Sequence, residues 1–197
     1  MDKPSMRTEI PSTVEGRAAW LAQIGGLETA IDQGLLSEPV SIPLAEALIL
    51  GLLRQGIRKY LAIFGHGSTA VGNVLRVYTD HGLVRCWNFR NEVEMAHAAT
   101  ALRWIYRETC AVVTSIGPGA LQALAGSLSA ASNGIGVYHI YGDETTHGEG
   151  YNMQQVPKPA QGLFGQITAR MGGSYTLHSP GAIREALRKG AATVFHP

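Results

Sequence analysis

Four short apolar segments, KYLAIFG at 59–65, LVRCWNF at 83–89, TCAVVTS at 109–115 and GVYHIYGD at 136–143, alternate with stretches whose apolar residues have helical spacing. Few folds accommodate that order. Strands covered on both faces read as near-continuous apolar runs, and a strand–helix–strand crossover is almost always right-handed. The pattern predicts an α/β fold, a doubly wound parallel sheet with helices on both faces. IPLAEALILGLLRQG reads as the helix before the first strand, with Pro43 in its first turn and Gly56 near its end. AVGNVLRVYTDHG, the helix opened by FRNEVEMAHAATAL, and ALQALAGSLSAASNG fill the gaps between strands.

The flanks are less regular. Residues 1–16 are polar and contain Pro4 and Pro11, and WLAQIGGLETAIDQGLL has helical spacing. Residues 1–40 are therefore read as an N-terminal arm and helix, a leader to the domain rather than part of its core, and 41–197 as the domain. After Asp143, ETTHGEGYNMQQVPKPAQGLFGQ reads as one long Gly-rich loop of the kind used for lids and interfaces. SPGAIREALRKGA reads as a helix with Ser179 as cap and Pro180 at its first position. The ending ATVFHP carries no closing strand, which predicts either a shortened sheet or a piece of a longer chain.

Charge narrows the partners. A net charge of +1 with 16% charged residues and no basic run argues against nucleic acid, because phosphate backbones need concentrated Lys and Arg. Small-molecule ligands are expected instead. No apolar run approaches the ~18 residues of a membrane helix. Cys86 and Cys110 fall in strands read as buried, and no apolar leader precedes them, so both are expected to be reduced thiols in a cytoplasmic protein.

In open parallel sheets, ligands sit beyond the carboxyl ends of the strands. Three turns converge there: GHGST at 65–69, FRNE at 89–92 and TSIGPG at 114–119. Their glycines let a ligand come close to the backbone. Glu92 stands at a helix start, where the helix dipole favours a carboxylate, whereas Glu94 is about 200° further round and faces elsewhere. Ala96, Ala98 and Ala99 give that helix a small-residue face suited to close packing, and His97 reads as a packed or interface residue. Asp143, His147 and Glu149 offer one histidine and two carboxylates in a flexible loop, a poor metal site. No metal is expected on this chain.

One reading takes GHGSTA as a G-x-G-x-x-A dinucleotide fingerprint of a Rossmann-type NAD-binding domain, with Glu92 on a ribose hydroxyl. It leaves the helix before KYLAIFG and the IGPG turn without a role. A non-catalytic binding module is a third possibility.

The second reading rests on motif order. IFGHGSTAVGNVL, then NEVEMAHAA, then TSIGPGALQALAGSLSAASNGIGVYHIYGD, roughly residues 41–145, resemble the pyrimidine-binding (PYR) domain of thiamine-diphosphate-dependent enzymes. Within that superfamily the GHG turn and the N-E-x-x-M-A-H-A-A spacing look most like the trihydroxycyclohexanedione hydrolase family of inositol catabolism. Acetolactate synthases carry a related G-x-P-G-G turn and an H-E-x-x-x-A-H-A-A helix.

The resemblance implies specific roles. Glu92 would hydrogen-bond N1′ of the aminopyrimidine and favour the imino tautomer that removes the thiazolium C2 proton, and burial against the cofactor would raise its pKa. His66 would reach toward substrate or pyrimidine as a second catalytic group. Gly65, Gly67 and Ser68 would form one wall of the cofactor site, and Thr114, Ser115, Gly117, Pro118, Gly119 and Gln122 the other.

The implied cofactors are thiamine diphosphate and Mg²⁺, the metal being held by a partner domain. The family's diphosphate-binding signature, G-D-G followed by paired asparagines, has no counterpart beyond G-D-E at 142–144. A diphosphate-binding (PP) domain or subunit is therefore an expected partner, in a homo- or hetero-oligomer. The implied reaction cleaves a C–C bond next to a carbonyl, with ring-opening hydrolysis of a cyclic 1,2-diketone first. A split 2-keto-acid decarboxylase or acetolactate synthase-like subunit is the alternative.

Overall fold

The structure, a computed structural model, describes residues 9–36, 39–142 and 163–196. Along the chain run α1 (Val14–Gln23), α2 (Leu27–Asp32), α3 (Leu44–Arg54), β1 (Lys59–Ile63), α4 (Thr69–Asp80), β2 (Arg85–Asn88), α5 (Glu92–Tyr106), β3 (Ala111–Thr114), α6 (Pro118–Ser132) and β4 (Tyr138–Tyr141). After them come α7 (Leu163–Arg170), a 3₁₀ turn (Pro180–Ala182) and α8 (Ile183–Phe195). The strands form one parallel sheet in the order β2-β1-β3-β4. The α/β sheet read from the sequence is the observed one.

Successive strand residues point to opposite faces, and both faces are covered. Tyr60, Ala62, Ala111 and Val113 pack with Ile49, Leu52 and Leu53 of α3 and Val74, Leu75 and Tyr78 of α4. Leu61 and Val112 pack on the other side with Met95 and Ala99 of α5 and Ala123 of α6. β2 departs from the expectation of a buried strand, since Arg85, Trp87 and Asn88 are exposed. Its place at the sheet edge, paired among the described residues with β1 alone, explains the difference. Cys86 is accordingly half-buried and Cys110 fully buried; both are free thiols, and burial pushes them up to about 11 and about 12.

The N-terminal helices belong to the core. Ala18, Trp20 and Leu21 of α1, with Leu27 and Ala30 of α2, are buried in the same cluster as α3, α4 and the sheet. A charged network holds them there. Arg17 Nε donates to Glu46 Oε1 at 2.9 Å and Nη2 donates to Oε2 at 2.5 Å, while Nη1 donates to the Pro11 carbonyl at 2.9 Å. The Tyr78 hydroxyl adds a bond to Glu46 Oε1 at 2.9 Å. Glu46 is fully buried. The hydrogen bond to Glu46 lifts the Arg17 pKa still higher, and burial followed by the Glu46 charge lifts that of Tyr78.

Two further segments differ from the sequence reading. LFGQ, assigned to the loop, opens α7, whose Phe164 meets Tyr141 edge-on with ring centroids 5.9 Å apart and packs on Ala120 and Leu124 of α6. Ser179 caps only the 3₁₀ turn, without a side-chain bond, and α8 runs on through ATVF. Asp143, His147 and Glu149, with most of the Gly-rich loop, lie outside the described residues. Among the described residues no cluster of three or more metal-ligating side chains forms, and no helix is long and apolar enough to cross a membrane.

His139 on β4 is a half-buried, hydrogen-bonded residue that the apolar reading of GVYHIYGD passed over. Its Nε2 lies 2.8 Å from Ser127 Oγ of α6, and desolvation pushes its pKa down to about 4. The unfolded chain binds a proton at this side chain near pH 6.5 and the folded chain only near 4. Stability is therefore full above pH 6.5 and falls as the pH drops from 6.5 to 4. The expected loss is about 1–3 kcal/mol. Urea unfolding at pH 7 and pH 4.5 measures it; an His139→Gln chain should show a smaller acid loss, and an unchanged difference would remove His139 as the cause.

Candidate cofactor site

The three turns at the carboxyl edge touch one another. Gly67 has φ +79°, and a Cβ there would stand 2.5 Å from Ile116 Cγ2 and 2.8 Å from Gly142 Cα, so only glycine fits. The Ile116 N–H donates to the His66 carbonyl at 3.1 Å, tying the GHG turn to the IGPG turn. Gly65 faces Ser115 across the same contact. Ser68 is buried, and its Oγ donates to the Gly65 carbonyl and accepts from the Gly65 N–H, both at 3.1 Å. That hydroxyl closes the turn. The His66 side chain is exposed at the turn's tip.

Glu92 is the first residue of α5, started by Asn91, whose Oδ1 accepts from the N–H groups of Val93 at 2.9 Å and Glu94 at 3.1 Å. Glu92 is half-buried and Glu94 exposed, as their angular separation predicts. A Cβ added to Gly119 would lie 3.3 Å from Glu92 Oε1 and closer still to Ser115 Oγ. Glu92, Ser115 and Gly119 therefore converge on one point. Gly117, at φ +62°, is the N-cap of α6, and Pro118 occupies its first turn. Thr114 ends β3 fully buried, with no hydrogen-bond partner for its Oγ1 among the described residues. Gln122 is exposed one turn further along α6, and His97 is exposed on α5.

Close helix packing sets this geometry. A Cβ on Gly126 of α6 would stand 2.6 Å from the Val93 carbonyl oxygen and 2.8 Å from Ala96 Cβ of α5. Ala96 and Ala99 are buried, the small-residue face read from the sequence. Gly126→Ala is thus expected to destabilise the chain by about 1–3 kcal/mol, although alanine is the better helix former by about 1 kcal/mol. Urea denaturation decides between the two effects, and a gain in stability would mean the helices have room to separate.

The profile of the family described as "Thiamine pyrophosphate enzyme, N-terminal TPP binding domain" matches residues 42–163, a span that takes in the whole sheet and all three turns. Among curated proteins, the chain is similar to 3D-(3,5/4)-trihydroxycyclohexane-1,2-dione hydrolase of Shouchella clausii (strain KSM-K16), 38% identical over 84 residues, 41% of this chain and 13% of that protein. The protein of the same name in Bacillus subtilis (strain 168) is 33% identical over 121 residues, 55% of this chain and 19% of that protein. The match thus spans less than a fifth of the length of these relatives. With the family profile covering more than half of the sequence and the motif-bearing turns meeting at one edge of a parallel sheet, the chain belongs to the thiamine pyrophosphate enzyme N-terminal TPP binding domain family.

Proposed function

We propose that this chain supplies the pyrimidine-binding half of the active site of a thiamine-diphosphate-dependent enzyme that hydrolyses a C–C bond next to a carbonyl in a cyclic 1,2-diketone. One observation carries the reading: the Glu92 carboxylate reaches the space beside Gly119 between two glycine turns at the sheet's carboxyl edge. The cofactor fits the residues present. At Gly119 the backbone comes so close to Ser115 Oγ and Glu92 Oε1 that a Cβ would not fit, and the hydroxyl of Thr114, at the end of the strand leading into that turn, is a buried polar atom without a hydrogen-bond partner among the described residues. Bound thiamine diphosphate would supply the carbanion chemistry.

The chain's own residues bind and move a proton. Glu92 holds a proton at its carboxyl oxygen and shares it with a ring nitrogen of the aminopyrimidine. Gly65, Gly67 and Gly119 let the turns close on one another to shape the edge that the planar ring would meet, with Gly117 and Pro118 fixing the start of α6. Thr114, Ser115 and Gln122 offer polar contacts, and Ser68 keeps the GHG turn closed. The exposed His66 serves as a proton donor or acceptor toward the substrate. Mg²⁺ and the diphosphate belong to a diphosphate-binding domain brought by another subunit or a longer chain, a reading supported by the small share of the relatives that is matched. The diketone substrate rests on the names of those relatives.

Calorimetric titration of thiamine diphosphate with Mg²⁺ into the chain mixed with a diphosphate-binding partner tests the reading. Wild type is expected to bind, and Gly119→Val to weaken binding at least about tenfold, equivalent to ~1.4 kcal/mol. Equal affinity for both chains, with Gly119→Val still folded by circular dichroism, would move the pyrimidine elsewhere.

A further inference from the structure

At the sheet edge opposite the glycine turns, the last turn of α5 and the turn after α6 enclose a cleft of about 240 Å³ lined by Arg103, Trp104, Arg107, Gly134 and Ile135. We propose that this cleft binds a phosphate-bearing ligand with one planar ring, of the nucleoside monophosphate class, the phosphate between Arg103 and Arg107 and the ring against Trp104. The volume falls below the ~300 Å³ at which pockets for whole drug-sized ligands begin, so it takes one ring and one phosphate rather than a dinucleotide.

The backbone of Arg107 is the first argument. It has φ +60° and ψ +18°, the left-handed conformation at a helix C-cap. Among the described residues nine glycines have positive φ, and Arg107 is the one non-glycine that does. A side chain there carries a strain that glycine would remove. Position 107 thus keeps its guanidinium at the expense of backbone comfort, a pattern associated with functional sites.

Charge is the second argument. Each helix end carries a partial charge of about −0.5, so the C-termini of α5 and α6 together set roughly −1 against two guanidinium groups. The balance stays positive. Arg103 Nη1 donates to the Arg107 carbonyl at 3.2 Å, which satisfies the end of α5 and holds the guanidinium at the cleft. Glu108, the neighbouring carboxylate, is already paired with Lys59. Neither Arg103 nor Arg107 makes an ion pair among the described residues.

The third argument is the aromatic wall. Trp104 is 57% exposed, a large indole left in water beside two planar cations. Guanidinium groups grip phosphate through paired N–H donors, and an indole face stacks on planar rings. A ligand carrying both features satisfies the whole lining.

This inference does not depend on the thiamine diphosphate reading, and its test omits that cofactor and Mg²⁺. The full chain is titrated by calorimetry with adenosine monophosphate, adenosine and inorganic phosphate separately. Adenosine monophosphate is expected to bind with a Kd below about 1 mM, and each fragment at least about tenfold more weakly. Arg107→Gly should weaken adenosine monophosphate about tenfold or more while leaving the melting temperature equal or higher, because the strain is relieved. Trp104→Ala should weaken the nucleotide and leave phosphate unchanged, and Glu92→Gln should change neither. Absence of saturation by the nucleotide, wild-type affinity in Arg107→Gly, or phosphate binding as tightly as the nucleotide would overturn the proposal.

Discussion

If the proposed function holds, a Glu92→Gln chain, mixed with a diphosphate-binding partner and Mg²⁺–thiamine diphosphate, is expected to exchange the cofactor's C2 proton about 10²- to 10⁴-fold more slowly than wild type while binding the cofactor within a few-fold. Glutamine keeps the size and the hydrogen-bonding oxygen of the side chain but cannot pass a proton. The fold should barely notice. Asn91, not Glu92, caps α5, so the substitution costs at most the dipole interaction of one first-turn carboxylate, about 0.3–1 kcal/mol. Glu94→Gln is the matched control. It removes a charge from the same helix turn at an exposed position and should leave exchange unchanged. Deuterium exchange at C2 followed by NMR separates the cases, and equal rates in Glu92→Gln and wild type would deny Glu92 its role.

Glu46→Ala is expected to lower unfolding free energy by about 3–5 kcal/mol, a large part of the ~5–15 kcal/mol that holds an ordinary domain together. The cause is the charge left behind. Arg17 is buried and would lose both donors' partner at once, and the Tyr78 hydroxyl would lose its acceptor. Arg17→Met should cost a similar amount by stranding Glu46. Combining Arg17→Met with Glu46→Leu should recover much of the loss, since an apolar pair needs no compensation. Urea unfolding of wild type, Arg17→Met, Glu46→Leu and the double variant gives the coupling directly. If the two single losses simply add in the double variant, the pair is not an energetic unit and α1 is held by Trp20 and Leu21 alone.

Both predictions bear on what the sequence could disclose. The sheet was readable because its two central strands, β1 and β3, are apolar on both faces, and α5 because its geometry alone separates Glu92 from Glu94. The glycine turns were readable as turns, but their contact was not: that Gly67 meets Gly142, and Gly119 meets Glu92, depends on distances across the sheet edge. The membership of α1 in the core was hidden by Arg17 and Glu46, which look like surface residues until each is seen to satisfy the other. α7 was missed because a helix of eight residues has little pattern of its own, and its stability comes from Tyr141 and α6, far away in sequence. Ser68 and His139 show the same limit, since a hydroxyl bonded within its own turn and an imidazole bonded under a helix are written no differently from exposed ones.

The backbone-level contact at Gly126 has a mechanical consequence. Glu92 sits at the start of α5 and Gly119 at the start of α6, and the two helices meet with no side-chain layer between them at Val93 and Gly126. Interlocked in this way, the pair behaves like the fixed jaw of a calliper: the spacing between the start of α5 and the start of α6 is set by van der Waals contact of backbone and Cβ atoms, which have little slack to give. In the proposed function, any opening and closing would then fall to whatever faces this jaw, while the backbone that carries Glu92 stays in place.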